Sequence, residues 1–206
     1  DHGTGPAPAG RGYGMNIKVI GAGLAGCEAA WQCAKRGLEV ELYEMRSVKN
    51  TPAHQTADFA ELVCSNSLKS ESENTAPWLL KEEMRRAGSL LLELARAAQV
   101  PAGHALAVDR ATFSAKVTET ISREPLIRVL REEVTHINEA DANCITIIAT
   151  GPLTSDALSR EVARLSGSEH LFFYDSISPI VEADSIDMSR VYLAARYDKG
   201  TADYIN

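Results

Sequence analysis

With 206 residues, 45% of them hydrophobic and 24% charged, the chain has the composition of a soluble globular protein with one sizeable core or two small ones. No apolar run approaches the roughly 20 residues that a membrane helix needs, so no membrane-spanning helix is predicted and a cytoplasmic protein is expected. The net charge of −7 argues against RNA binding by this segment alone, because phosphate contacts come mostly from Lys and Arg.

The chain begins with residues 1–14, which are rich in glycine and lack the apolar stretch of a signal peptide, so we predict a disordered extension or tag. Residues 16–21 (NIKVIG) are apolar and β-branched, which is typical of a buried parallel strand. Apolar residues recur at helical spacing over residues 24–34, and Gly37 follows as a helix-ending glycine. Residues 38–43 (LEVELY) predict a second strand, which completes a βαβ unit of about 30 residues.

The later chain alternates between helical and strand patterns. A helical pattern covers residues 77–98, with Gly88 as a possible break, and Asp109 is predicted to cap another helix. The first of these helices is predicted to turn Leu79 and Leu80 to its apolar side. The remaining predicted elements are strands at 127–130 and 133–137, a fully buried strand at 144–150, and a helix carrying Leu158, Val162 and Leu165 that ends at Gly167.

A glycine motif lies between the first strand and the first helix. Residues 21–26 (GAGLAG) match G-x-G-x-x-G, in which the first glycine makes the tight turn, the second admits a pyrophosphate and the third lets helix and strand pack closely. Glu44 ends the second strand, about 20 residues after the motif, where an acid accepts hydrogen bonds from ribose hydroxyls. The cofactor-binding residues predicted on this basis are Gly21, Ala22, Gly23, Leu24, Ala25, Gly26 and Glu44.

The acid at Glu44 indicates an unphosphorylated ribose, and hence FAD or NAD rather than NADP. Residues 146–151 (TIIATG) form an apolar strand that ends at Gly151 and resembles the second fingerprint of flavoproteins with two dinucleotide domains. Together with the first motif, this strand favours FAD. The predicted class is therefore α/β: a Rossmann-type FAD-binding domain with a parallel sheet over residues 15–155, and the start of a second, inserted α+β substrate domain over residues 156–206.

The four cysteines are Cys27, Cys33, Cys64 and Cys144. They form no C-x-x-C pair and no His lies at a metal-ligand spacing from them, so neither a metal site nor a disulfide framework is predicted. Cys64 lies among polar residues in a predicted loop (ELVCSNSL), where a thiol can be exposed and activated, although composition alone favours an ordinary buried cysteine. The other three are assigned to packing.

From Met15 to Asn206 the chain resembles the TrmFO family, the folate- and FAD-dependent tRNA (uracil-5-)-methyltransferases. The matching segments include VIGAGLAGCEAA, VELYEMR, TPAHQTADFAELVCSNSLKS, VPAGHALAVDRATF, IIATGPLTS and ARYDKGTADYIN. Several of these have no part in generic nucleotide binding. The related GidA flavoproteins share the first fingerprint but are not expected to carry LVCSNSL or YDKG. The segment VELYEMR adds Met45 and Arg46 to the predicted cofactor-binding residues.

The resemblance implies a defined chemistry. Reduced FAD takes a one-carbon unit from 5,10-methylenetetrahydrofolate and passes it to C5 of a T-loop uridine in tRNA, with NAD(P)H supplying electrons. Two cysteines of the family serve this chemistry, one of them as the thiolate that adds at C6 of the uracil. Cys64 matches one of the two, and the other is expected in a Cys-Pro segment shortly after Asn206. The 206-residue chain is therefore expected to be inactive by itself.

Alternatives to this function stay open. One is a paralogue that methylates ribosomal RNA with the same cofactors, and another is a flavin-binding module without catalysis. A general FAD-dependent oxidoreductase would be indicated by a C-x-x-C pair or a second G-x-G-x-x-G, and neither is present. A solvated helix face is favoured over RNA contact for Lys81, Arg85 and Arg86, and surface roles are favoured for His54 and His104. The sequence does not indicate an oligomeric state.

Overall fold

The computed structural model describes residues 15–139, 143–167, 183–194 and 204–205, and the predicted extension at residues 1–14 lies outside these ranges. The strands are β1 (Asn16–Ile20), β2 (Val40–Tyr43), β3 (Ser67–Ser70), β4 (Gln99–Val100), β5 (Ala105–Val108), β6 (Ile127–Leu130), β7 (Cys144–Ile148), β8 (Leu193–Ala194) and β9 (Tyr204–Ile205). The α-helices are α1 (Leu24–Ala34), α2 (Ala76–Arg86), α3 (Leu90–Ala97), α4 (Arg110–Arg123) and α5 (Asp156–Ser166), and short 3-10 helices cover Gly151–Leu153 and Ala183–Ser185.

Four strands form a parallel sheet in the order β6-β2-β1-β7. Ile17 of the central strand β1 lies opposite Val40 of β2 on one side and Ile145 of β7 on the other. Helix α1 connects β1 to β2, so the predicted βαβ unit and the predicted α/β class with a parallel sheet are confirmed. The carboxyl ends of parallel strands meet at one edge of the sheet, which is where such folds bind ligands.

The main core lies between one face of this sheet and the helices α1 and α4, with α3 packed against both helices. Alternate residues of β1 and β2 enter this core because successive side chains of a strand point to opposite faces. Each buried Val, Ile, Leu or Phe side chain stabilises the fold by about 1.5–3 kcal/mol relative to its exposed state. The largest contributors are fully buried: Val19, Val40, Leu42, Phe59, Leu106, Val108, Phe113, Val117 and Ile121.

Two local sequence features act as predicted. The helical pattern over residues 77–98 forms two helices, because Gly88 adopts a φ of +75°, in the left-handed region that glycine favours. Asp109 caps α4 by accepting a hydrogen bond from the backbone N of Thr112 at 2.7 Å.

The strand predicted at residues 133–137 is wrong, because this segment has no regular structure. Val134 and Ile137 belong to one hydrophobic cluster with Leu158 of α5, whereas their three-residue spacing would place them on opposite faces of a strand. The backbone N of Ile137 donates to the side chain of Glu161 at 3.0 Å instead of to a strand. Packing and hydrogen bonding by α5 therefore replace strand pairing here.

Strand β7 forms where it was predicted, but the expectation that it is fully buried is wrong. Ile145 is 47% exposed and Ile148 is 40% exposed. In the described part of the chain β7 pairs with β1 alone, so it is an edge strand with part of its apolar surface open. A run of apolar residues indicates a strand but does not indicate its place in the sheet.

A small antiparallel sheet has the order β3-β5-β4. Strand β3 is irregular, because its register shifts along its length and Lys69 has a φ of +69°. Lys81 of α2 spans this irregularity, since its Nζ donates to the carbonyl oxygens of Leu68 at 2.9 Å and Ser70 at 2.7 Å. The distorted strand thus receives its missing donors from a side chain.

The predicted orientation of α2 is wrong, because Lys81 points inward to contact β3. Lys81, expected on the solvated face, is only 4% exposed, whereas Leu79 and Leu80, expected on the apolar side, are 53% and 58% exposed. Arg85 is also engaged, because its Nη2 lies 2.7 Å from a carboxylate oxygen of Glu71. The ammonium group is turned inward because it can satisfy two backbone carbonyls that no leucine could satisfy.

The substitution Lys81→Met is expected to lower the free energy of unfolding by about 2–4 kcal/mol, because the carbonyl oxygens of Leu68 and Ser70 both lose their donor. The matched control is Arg86→Met, because Arg86 is an exposed cation of the same helix whose ion pair with Glu82 faces solvent. That change is expected to cost less than about 0.5 kcal/mol. Urea denaturation measures both variants, and equal losses would contradict the anchoring role of Lys81.

The chain divides into two compact units, residues 1–175 and residues 176–206. The described part of the second unit contains the 3-10 helix Ala183–Ser185 and the antiparallel pair of β8 and β9. The predicted division near residue 155 into a cofactor-binding domain and a substrate domain stays a prediction.

Candidate dinucleotide-binding site

Three segments meet at the carboxyl edge of the parallel sheet: the turn between β1 and α1, the segment after β2 and the turn after β7. Their ends lie side by side because β2, β1 and β7 are neighbours in the sheet. Between them lies a cavity of about 330 Å³, within the roughly 300–1,000 Å³ usual for small-molecule sites. The predicted residues that line it are Gly21, Gly23, Leu24, Ala25, Glu44, Met45, Arg46 and Gly151.

The three glycines of the motif have different surroundings. Gly21 has a φ of +99°, and a Cβ there would lie 2.8 Å from the carbonyl oxygen of Ala149. A Cβ on Gly26 would overlap the carbonyl oxygen of Gly21, so the close packing of α1 on the turn requires glycine. At Gly23, by contrast, a Cβ would meet no atom within 4 Å. The space beside Gly23 is therefore open to a ligand.

Ala22 and Gly26 belong to the motif but do not line the cavity. Ala22 is fully buried and supports the turn through its backbone. Its N donates to Glu44 Oε2 at 3.1 Å, and its carbonyl oxygen accepts a hydrogen bond from the backbone N of Ala60 at 2.9 Å. The glycine turn is thereby joined both to the end of β2 and to the segment before Cys64.

Glu44 lies where the motif predicts it, at the end of β2 and in the cavity wall. It is buried, and its carboxylate accepts hydrogen bonds from Ala22 N and from the backbone and guanidinium of Arg46. Burial alone would raise the pKa of Glu44, but the hydrogen bonds and charge of Arg46 and the bond from Ala22 outweigh it. The pKa is therefore below its usual value, and Glu44 is ionised at neutral pH.

Arg46 connects Glu44 to a second carboxylate. Its Nη2 lies 3.0 Å from Glu44 Oε2, and its Nη1 lies 3.3 Å from Glu61 Oε2. Glu61 also accepts hydrogen bonds from Gln55 N at 2.8 Å and Thr56 N at 3.1 Å. A continuous chain of charged hydrogen bonds thus runs from the glycine turn to the segment that leads into Cys64.

Sequence reasoning missed Glu61 and His54, which both line the cavity. A surface role was expected for His54, but the residue is half-buried with its Nδ1 2.6 Å from Thr51 Oγ1. Burial, followed by the charge of Arg46, lowers the pKa of His54, so the ring is neutral at neutral pH. Residues 46–58 have no periodic pattern that could have indicated this placement, whereas His104 is exposed as expected.

Cys64 is exposed and lies beside the cavity, whose wall includes its neighbour Val63 but not Cys64 itself. The loop that carries it is fixed to β5 by Asn66, whose carbonyl oxygen accepts a hydrogen bond from Val108 N at 2.9 Å. Cys27, by contrast, is buried in the core, where burial raises the pKa of its thiol to about 12 and keeps it protonated. Of the four cysteines, only Cys64 is exposed.

In the described part of the chain, no three His, Cys, Asp or Glu side chains are placed so that they could hold a metal ion. The carboxylates of Glu44 and Glu61 in the cavity are both engaged by Arg46. Among the described helices, none has the length and apolar character to span a membrane.

A sequence model of the family described as Glucose inhibited division protein A matches residues 16–206 of the chain. That match covers the whole of the candidate site.

Curated relatives carry the name Methylenetetrahydrofolate--tRNA-(uracil-5-)-methyltransferase TrmFO. The relative from Koribacter versatilis (strain Ellin345) is 78% identical over 192 residues, which are 93% of this chain and 43% of the relative. The relative from Solibacter usitatus (strain Ellin6076) is 61% identical over 193 residues, 92% of this chain and 43% of the relative. The relative from Streptococcus sanguinis (strain SK36) is 60% identical over 190 residues, 92% of this chain and 42% of the relative. The chain thus spans less than half the length of these proteins.

Proposed function

The chain belongs to the family of glucose inhibited division protein A, and on that premise we propose that it is the FAD-binding amino-terminal part of a folate-dependent tRNA uracil-C5 methyltransferase. The observation that carries the proposal is the single cavity at which the glycine turn, Glu44 and Gly151 meet. The printed name of the similar proteins supplies the reaction and its substrates. Because the chain spans less than half of those proteins, the reaction is proposed for a full-length protein that carries this segment.

The residues of the cavity fit FAD. The pyrophosphate would lie against residues 21–26 at the amino end of α1, where N–H groups and the helix dipole favour an anion, and the open space at Gly23 admits its close approach. Glu44 would receive the hydroxyl groups of the adenosine ribose. Gly151, with a φ of +64°, would let the turn after β7 run close to the cofactor. When bound, the flavin supplies the redox chemistry of the one-carbon transfer.

In the proposed reaction the methyl acceptor is a T-loop uridine of tRNA, the one-carbon donor is 5,10-methylenetetrahydrofolate and the reductant is NAD(P)H. The proposed location of the enzyme is the cytoplasm. Uracil C5 is a weak nucleophile, so an enzyme must raise its electron density. A thiolate that adds at C6 makes an enolate whose C5 attacks the one-carbon unit and displaces its carrier. Removal of the C5 proton by a base then expels the thiolate from C6 and restores the C5–C6 double bond. Cys64 is the candidate for this work, because it is exposed and follows a residue of the cavity wall.

The purified chain is expected to bind FAD stoichiometrically, which an absorption spectrum followed by acid release and chromatography of the flavin would establish. The expectation rests on the cavity in the described part of the chain, which is lined by residues between 20 and 158. A full-length protein that carries the segment is the control. If the full-length protein binds FAD and the chain does not, the other part of the protein completes the site. If neither binds it, the flavin assignment is wrong.

A further inference from the structure

The guanidinium of Arg46 is buried between two carboxylates, with its side chain 3% exposed. On one side it forms a two-point contact with Glu44, from Nε to Oε1 and from Nη2 to Oε2, both at 3.0 Å. On the other side it makes one longer contact, from Nη1 to Glu61 Oε2 at 3.3 Å. The stronger contact of the guanidinium is therefore the one with Glu44, the residue predicted to bind the ribose hydroxyls.

Every acceptor position of Glu44 is in use. An ionised carboxylate has about four lone-pair sites, and Glu44 receives four hydrogen bonds: Arg46 N and Nε on Oε1, and Ala22 N and Arg46 Nη2 on Oε2. Two of these donors are backbone N–H groups, that of Ala22 in the glycine turn and that of Arg46 in the turn after β2. The other two belong to the guanidinium, which can move. A ribose hydroxyl that donates to Glu44 must therefore replace a guanidinium donor.

Glu61 can receive the guanidinium that is displaced. Its Oε2 accepts three hydrogen bonds, from Thr56 N, Thr56 Oγ1 and Arg46 Nη1, whereas in the described part of the chain its Oε1 accepts one, from Gln55 N at 2.8 Å, so a lone pair of Oε1 stays available. The side chain of Glu61 is 12% exposed, which keeps the pair shielded from solvent. Transfer of Arg46 from Glu44 to Glu61 leaves the buried cation paired, which avoids the cost of an isolated buried charge.

Glu61 in turn leads directly into the reactive segment, because Cys64 follows it by three residues. The preceding residue, Ala60, is fully buried, has a φ of +51° and donates its N to Ala22 O at 2.9 Å. A left-handed backbone at a residue other than glycine persists only where its surroundings hold it. The start of the segment is thus fixed to the glycine turn, and Arg46 is its side-chain link to the cavity.

We propose that Arg46 is a positioning residue that couples occupancy of the dinucleotide cavity to the placement of Cys64. The inference rests on the proposed function, because it takes an adenosine ribose as the ligand of Glu44. Ribose hydroxyls displace the guanidinium from Glu44, the guanidinium moves fully onto Glu61, and the segment from Glu61 to Cys64 is held more firmly. The thiol is set in place when the cofactor is bound and is less constrained when it is not.

The test compares the rate at which iodoacetamide alkylates Cys64 with and without ADP, measured by mass spectrometry of the Cys64 peptide. ADP carries the ribose hydroxyls but not the flavin ring, so direct shielding of the thiol by the ring is excluded. Saturating ADP is expected to slow alkylation by about fivefold or more. The analogue 2′,3′-dideoxy-ADP, which has no hydroxyl to donate to Glu44, is expected to leave the rate unchanged at saturation.

The variant Glu61→Gln keeps one acceptor oxygen, which serves one of the two backbone donors Gln55 N and Thr56 N, and it loses the negative charge that receives Arg46. At an ADP concentration that titration of the variant shows to be saturating, it is expected to lose the response of Cys64 to ADP. The matched control is Glu119→Gln, because Glu119 is ion-paired with Arg123 on the exposed side of α4. This control is expected to respond to ADP as the wild type does.

The outcomes separate the two proposals. A wild-type chain and full-length protein that both fail to bind FAD contradict the proposed function and the coupling with it. If FAD binds but ADP does not, or if dideoxy-ADP acts as ADP does, ribose displacement at Glu44 is wrong. If Glu61→Gln responds to ADP as fully as the wild type, Arg46 does not act through Glu61 and the coupling is overturned, while the FAD site stands.

Discussion

The substitution Gly23→Ala is expected to weaken FAD binding by about 100-fold, or about 2.7 kcal/mol, while the fold stays intact. A Cβ at Gly23 would meet no protein atom within 4 Å, and the φ of −73° at this residue is one that alanine adopts readily. The free energy of unfolding should therefore change by less than about 1 kcal/mol. The methyl group would instead stand where the pyrophosphate must approach the backbone.

The matched variant is Gly26→Ala, which tests the other half of the motif. Its Cβ would overlap the carbonyl oxygen of Gly21 and lie 3.4 Å from a side-chain carbon of Val19. The backbone must shift to relieve this, so the free energy of unfolding should fall by about 3 kcal/mol or more. Urea denaturation and titration with FAD separate the two variants. Unchanged FAD affinity in Gly23→Ala would show that no pyrophosphate lies against the turn.

Elements governed by local chemistry could be predicted from the sequence. Gly88 divides a helical pattern because glycine adopts a positive φ at low cost, and Asp109 caps α4 through a hydrogen bond to a residue three positions on. The βαβ unit follows in the same way from strand and helix periods and from the glycines between them. In each case the determining contacts lie within a few residues of one another.

Elements governed by distant contacts could not be predicted. Lys81 faces inward because the irregular strand β3 needs hydrogen-bond donors. The helical periodicity of the sequence gives no indication of this contact. Residues 133–137 lie irregularly because α5, more than twenty residues later, supplies Glu161 and Leu158 as partners. The exposure of β7 depends on which strands flank it. At all three places tertiary contacts override the local conformational preference of the sequence.

The same distinction between local and distant contacts applies to the residues of the candidate site. The glycine turn, Glu44 and Gly151 were predictable as neighbours because each follows a parallel strand, and such strands end at one edge of the sheet. Glu61 was not predictable as a cavity residue, because an irregular segment carries it there. Nor does the sequence show that Arg46 occupies the acceptors of Glu44, which is a property of side-chain geometry alone.

The substitution Cys64→Ala, made in a full-length protein that carries this segment, is expected to reduce methyl transfer to tRNA to below about 1% of the wild-type rate. In the proposed function the Cys64 thiol takes part in activating the uracil, as the nucleophile at C6 or as its assistant, and alanine has no group that could replace it. FAD affinity should change by less than about twofold, because Cys64 does not line the cavity. Transfer of labelled methyl groups from methylenetetrahydrofolate and FAD titration measure the two effects.

The control for this prediction is Cys33→Ala, because Cys33 is half-buried in α1 and packs against the core. Burial raises the pKa of the Cys33 thiol, which disfavours the thiolate, so loss of this sulfur should leave methyl transfer near the wild-type rate. Wild-type transfer in Cys64→Ala would remove the thiol from the chemistry and leave Cys64 as a surface residue. Parallel loss of FAD and of activity would instead make Cys64 part of the cofactor site.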